Sequence, residues 1–102
     1  MENITAEELK QRIDAGENLH IVDVREPHEH AEFNIGGILI PLGEIRAMQV
    51  DELEDLKNEE VIVYCRSGGR SSQAAMILET MGFQHVKNLT GGMLNWQEKF
   101  PK

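Results

Sequence analysis

The sequence has little of what would place it in a specialised class. A single cysteine excludes an internal disulfide and a zinc site built on paired thiolates. No apolar run approaches the ~20 residues of a membrane-spanning helix. The longest runs, such as Val61 to Cys65 and Ala74 to Leu78, have the length of a strand or a helix face. Basic residues number 10 against 18 acidic ones, for a net charge of −8. With no cationic surplus to neutralise phosphates, nucleic acid is not expected as a partner, and with no spanning run neither is a membrane. The first residues carry neither a basic n-region nor an apolar h-region, so a cytoplasmic location is expected. No repeat, low-complexity tract or linker interrupts the 102 residues, so one domain over 1–102 is expected, most simply as a monomer.

What is present is unevenly spread. Residues 1–60 hold 16 acids and 5 bases, whereas residues 61–102 hold 2 acids and 5 bases. Thr5-Ala6-Glu7-Glu8 matches a capping box, Leu9 and Ile13 follow at helical spacing, and Gly16 is placed to end that helix. Leu19 to Val24 reads as a strand. Pro27 reads as a break, followed by a short helix through Glu29 to Phe33. Ile38-Leu39-Ile40 reads as a brief strand stopped by Pro41, and Glu44 to Leu56 as one or two helical pieces. Val61-Ile62-Val63-Tyr64 is apolar without alternation, the pattern of a strand buried on both faces. A helix is predicted from Ser71 to Met81 with Gly82 at its end, then a strand over Val86 to Leu89 and a helix over Gly92 to Lys99. Strands alternating with helices predict an α/β fold: a mainly parallel sheet of about five short strands, flanked by helices on both faces.

The chemistry concentrates where that buried strand gives way to a helix. Cys65-Arg66-Ser67-Gly68-Gly69-Arg70-Ser71 joins the lone thiol to two arginines and two glycines. Ligands of open parallel sheets bind beyond the carboxyl ends of the strands, and Cys65 stands at such an end. A helix N-terminus offers free amides and partial positive charge, which lower a thiol pKa and hold anions. Gly68 and Gly69 are expected to let successive amides turn inward, with Arg66 and Arg70 adding full charges for an oxyanion. Ser67 and Ser71 could add hydroxyls, and Ser71 could equally be a helix cap. Cys65 is thus the candidate nucleophile. Arg66, Ser67, Gly68, Gly69, Arg70 and Ser71 are the candidate substrate-binding residues.

These segments together resemble the single-domain rhodaneses, which are thiosulfate-type sulfurtransferases. Ile21-Val22-Asp23-Val24-Arg25-Glu26 resembles the first family signature, and Phe33-Asn34-Ile35-Gly36-Gly37 with Ile38-Leu39-Ile40-Pro41 its continuation. The cysteine loop resembles the active loop, and Leu89-Thr90-Gly91-Gly92 followed by Trp96 the C-terminal signature. Asn34 stands where the family commonly has histidine, a departure that touches loop geometry rather than Cys65. The resemblance implies that Cys65 takes the outer sulfur of a small anionic donor such as thiosulfate, forming a persulfide, and that cyanide or a thiol then collects it. It implies neither a metal nor an organic cofactor.

Other candidates weigh less. Asp23 and Arg25 are read as a partly buried pair that fixes the loops around the site. His28 and His30 are read as surface residues, and His20 and His85 are assigned no function. Trp96 and Tyr64 are read as core residues. Cysteine phosphatases also use a thiolate in an anion cradle, but with five residues between cysteine and arginine, whereas four separate Cys65 from Arg70. A non-catalytic binding module of the same fold would be expected to lack the cysteine.

Overall fold

A computed structural model describes residues 1–101. Five strands, β1 (Glu2–Ile4), β2 (Ile21–Asp23), β3 (Ile38–Leu39), β4 (Glu60–Tyr64) and β5 (His85–Leu89), form one sheet in the order β1-β5-β4-β2-β3. Every pairing is parallel, with Asp23 opposite Tyr64 and Ile4 opposite Leu89. Among the described residues four helices lie between the strands, α1 (Ala6–Asp14), α2 (Pro27–Glu32), α3 (Leu42–Arg46) and α4 (Gly69–Thr80), and α5 (Gly92–Lys99) follows β5. A 3₁₀ helix spans Asp51–Leu56.

The central strand explains why the sequence lacks alternation there. Val61, Val63 and Cys65 face one core with Ala74, Ala75 and Leu78 of α4 and with Leu42 and Ile45 of α3. Ile62 and Tyr64 face the other, with Leu9 of α1 and with Met93 and Trp96 of α5. Both faces of β4 are therefore covered, as a parallel strand between helical layers requires. The α/β expectation of five parallel strands flanked on both faces holds. Because β4 and β5 are neighbours whose following helices leave to opposite faces, a crevice opens at their carboxyl ends.

Several boundaries differ from the sequence reading. β1 is absent from it, having three residues of which only Ile4 is buried. Pro27 does not break the chain; it opens α2, where its missing N–H costs nothing. The helix expected from Ser71 begins two residues earlier, at Gly69. The capping box at Thr5 forms as expected, with Thr5 N to Glu8 Oε1 at 2.9 Å and Glu8 N to Thr5 Oγ1 at 3.1 Å. Gly37 holds φ +82, and a side chain there would drive into the Ile21 backbone, so β3 can close on β2 only with glycine. Asn34 supports that turn: its Nδ2 donates to His30 O at 2.9 Å, and its Oδ1 accepts from Gly36 N at 2.9 Å.

Candidate active site

β4 ends at Tyr64, and the next residue places its thiol under the start of α4. Cys65 Sγ accepts hydrogen bonds from Gly68 N at 3.1 Å and Ser71 N at 3.3 Å. Gly68 caps α4 without any side chain to offer, so the sulfur fills the role of an N-cap oxygen. The sharp turn needs Gly68 at φ +108. The Ser71 hydroxyl lies 3.2 Å from Gly68 O and packs against Asn88 Oδ1, which ties the loop to β5. Burial pushes the Cys65 thiol up. The Ser71 hydroxyl and the amides of Ser71, Gly68 and Ser67 outweigh that and draw it below its ordinary value.

A second helix end supports the loop from beneath. Met93 N donates to Cys65 O and Leu94 N to Arg66 O, each at 2.9 Å. This contact is possible because Gly92 has φ +56; a Cβ there would stand 2.6 Å from Arg66 O.

The charged groups around the loop are mostly spoken for. Arg70 donates two hydrogen bonds to Glu29 of α2, Nη1 to Oε1 at 2.9 Å and Nη2 to Oε2 at 3.0 Å. Those bonds hold the Glu29 carboxyl down at about 2. Arg25 and Asp23 form a buried pair at 2.8 Å, and Arg25 Nη2 also donates to Phe33 O at 2.6 Å. Burial pushes the Asp23 carboxyl up, yet its bonds to Arg25 and His30 keep it below the usual range. The Arg25 guanidinium lies 5.4 Å from the Tyr64 ring centre, and the buried Tyr64 hydroxyl accepts from Ile35 N at 3.4 Å. Arg66 is exposed, and among the described residues its side chain has neither ion pair nor hydrogen bond. It lines a cleft of about 130 Å³ with Glu29, Glu32, Phe33 and Leu94. Larger clefts, about 270 Å³ beside Glu60 and about 400 Å³ beside Ile38, include no residue of the cysteine loop.

The seven loop residues singled out from sequence are thus brought together, but their parts differ from expectation. Gly68 needs its left-handed backbone, whereas Gly69 has no positive φ and open space where a Cβ would be. Backbone amides of Gly68 and Ser71 donate to the sulfur, the Ser71 hydroxyl helps to hold its charge, and neither arginine donates to it among the described residues. Asp23 and Arg25 form the buried pair expected of them, and Arg25 also lines the cleft that Arg66 lines. His30 corrects the surface reading: it is half-buried, with Nδ1 2.9 Å from Asp23 Oδ2, while His28 is exposed. Trp96 is in the core as expected. Sequence reasoning missed Glu29 and Asn88. Both contacts depend on pairings across distant elements, and no local pattern signals them.

Comparison with known proteins bears on the family and the fold. The family model described as "Rhodanese-like domain" matches residues 5–99. A sulfurtransferase from Allochromatium vinosum is 37% identical over 93 residues, covering 91% of this chain and 85% of that protein. YrkF of Bacillus subtilis is 40% identical over 97 residues, but they are 94% of this chain and only 51% of that protein, so the chain spans about half of it. The crystal structure of a rhodanese-like domain protein from Staphylococcus aureus superposes with a TM-score of 0.82 at 33% identity, covering 94% of this chain and 91% of that one. No helix among the described residues is long and apolar enough to cross a membrane. A family match over residues 5–99, on a five-stranded parallel sheet that brings the one cysteine to the N-terminus of a helix, places this chain in the rhodanese-like domain family.

Proposed function

We propose that this chain is a sulfurtransferase that carries a sulfane sulfur on Cys65. What supports the reading above all is the Cys65 sulfur accepting two amide hydrogen bonds at the N-terminus of a 12-residue helix. The relative from Allochromatium vinosum, itself a sulfurtransferase, adds to it.

In the first step the Cys65 thiolate attacks the outer sulfur of a donor such as thiosulfate. A new S–S bond forms to Cys65, the donor's S–S bond breaks, and sulfite leaves with the electron pair. In the second, cyanide or a thiolate attacks the outer sulfur of the persulfide, and the Cys65 thiolate is restored. The amides of Gly68 and Ser71 stabilise negative charge on the thiolate before attack. They remain at hand when that charge moves to the outer sulfur, so little reorganisation accompanies either step. Such covalent catalysis gives ping-pong kinetics. Arg66, whose side chain has no ion pair among the described residues, is placed to meet a donor anion. Gly69 and Ser67 line the turn, and Arg70 acts through its ion pair with Glu29.

The rival phosphatase reading is weaker because four residues, not five, separate Cys65 from Arg70, and Glu29 occupies that arginine's donors. The test is thiocyanate production from thiosulfate or an organic persulfide plus cyanide, compared with hydrolysis of p-nitrophenyl phosphate. Sulfur transfer that vanishes in Cys65→Ser is expected. Cysteine-dependent phosphatase turnover faster than sulfur transfer would overturn the assignment.

A further inference from the structure

The charges around the loop mouth cancel. Arg25 is taken up by buried Asp23, and Arg70 by the two oxygens of Glu29. Arg66 remains, but Glu32 lines the same cleft, and among the described residues its carboxylate has no partner. Glu26, at the N-cap of α2 three residues before Glu29, adds a further negative charge. The side chains of three arginines at this mouth are therefore matched in formal charge by those of Asp23, Glu29 and Glu32. Thiosulfate is a dianion and gains least from such a mouth. A persulfide carried on a carbon skeleton bears less charge on its reacting group. Such a donor also has a methylene next to its sulfur to lay against Phe33 and Leu94, the latter 48% exposed beside Arg66.

We propose that Glu29 is a specificity-determining residue: by holding Arg70 it removes the positive charge that would favour thiosulfate, and so tilts the site toward organic persulfides. The inference rests on the sulfur-transfer reading of Cys65. With an organic persulfide the Cys65 thiolate attacks the terminal sulfur, the donor's S–S bond breaks, and the carbon-bound thiolate leaves with the electron pair. No oxidant or reductant is consumed. Glu29 does not touch the reacting atoms; it acts by charge through Arg70.

The experiment compares kcat/KM for thiosulfate with kcat/KM for cysteine persulfide generated in situ. Both donors are run on the same preparations of wild type, Glu29→Gln, Arg70→Ala and the double variant. Any loss of folded protein cancels in the ratio of the two. Glu29→Gln should raise the thiosulfate-to-persulfide ratio on the order of tenfold and steepen its dependence on ionic strength, since one screening charge is gone. Arg70→Ala should lower the ratio, because Glu29 is then unbalanced. The double variant restores the original net charge, so its ratio should return toward that of wild type. An unmoved or lowered ratio in Glu29→Gln would overturn the proposal. So would a double variant as poor as Arg70→Ala, which would make Arg70 a direct ligand of the donor. If neither donor places sulfur on Cys65 of the wild-type protein, the underlying sulfur-transfer reading fails, a result separate from any change of ratio.

Discussion

Gly69 lies in the cysteine loop and Gly92 packs beneath it, and replacing each by alanine separates packing from proximity. At Gly92 an added Cβ would meet Arg66 O at 2.6 Å and Arg66 C at 2.7 Å, and the backbone stands at φ +56. α5 must then retreat, loosening the amide bonds from Met93 to Cys65 O and from Leu94 to Arg66 O. Two backbone hydrogen bonds at ~1 kcal/mol each and ~1 kcal/mol for alanine in a left-handed conformation sum to a loss of ~3 kcal/mol. For a domain of about 100 residues, ~4–8 °C of melting temperature accompanies each kcal/mol, so a fall of roughly 10–25 °C is expected. Gly69→Ala has open space and an ordinary backbone. It should leave stability unchanged or raise it by ~0.4–1 kcal/mol, through a less flexible unfolded chain. Urea and thermal unfolding followed by circular dichroism measure both. Equal destabilisation by the two substitutions would refute the argument that α5 docks through Gly92, and so would a Gly92→Ala protein that melts with wild type.

Three further outcomes are expected. The rate of Cys65 alkylation by iodoacetamide should rise with pH through a midpoint below that of an ordinary thiol, and Ser71→Ala should move it upward; a wild-type midpoint at or above that of a free thiol would contradict the cradle. Arg25→Met leaves buried Asp23 without its guanidinium, and a broken buried pair costs ~3–5 kcal/mol in unfolding experiments; a loss below ~1 kcal/mol would mean that Asp23 is already satisfied. Arg12 and Lys87 hold the Glu60 carboxyl down at about 2 from 4.5, so its stabilisation is full above 4.5 and lost as pH falls toward 2. Glu60→Gln should flatten the acid limb of a stability-versus-pH curve, and an unchanged limb would rule this pair out as its source.

Local signals in the sequence were enough for the elements that bear on Cys65. The β-branched run Val61 to Val63 marks a strand covered on both faces, and the glycine turn after Cys65 marks the approach to a helix. Thr5 and Glu8 lie close in sequence and cap each other as their spacing predicts. What stayed hidden depends on contacts made only in three dimensions. β1 exists because Ile4 pairs with Leu89 across most of the chain, a partner that three residues cannot announce. Glu29 meets Arg70 from 41 positions away, a pairing that no local spacing announces. Gly68 and Gly69 look alike in sequence, and only the loop's path gives the first φ +108 and the second an ordinary backbone. His30 looks exposed beside Pro27 and Glu29 until α2 turns its ring onto Asp23.

The central claim, that Cys65 carries the transferred sulfur, is tested most directly by intact-mass measurement after incubation with a sulfane donor. Thiosulfate and cysteine persulfide are each applied to wild type and to Cys65→Ser, excess donor is removed, and cyanide is then added. The account predicts a gain of ~32 Da, one sulfur atom held covalently, in the wild-type protein with at least one donor. Cyanide should reverse the gain, and Cys65→Ser should show none. Sulfur transfer to cyanide that proceeds undiminished in Cys65→Ser, or a gain that persists in that variant, would contradict it.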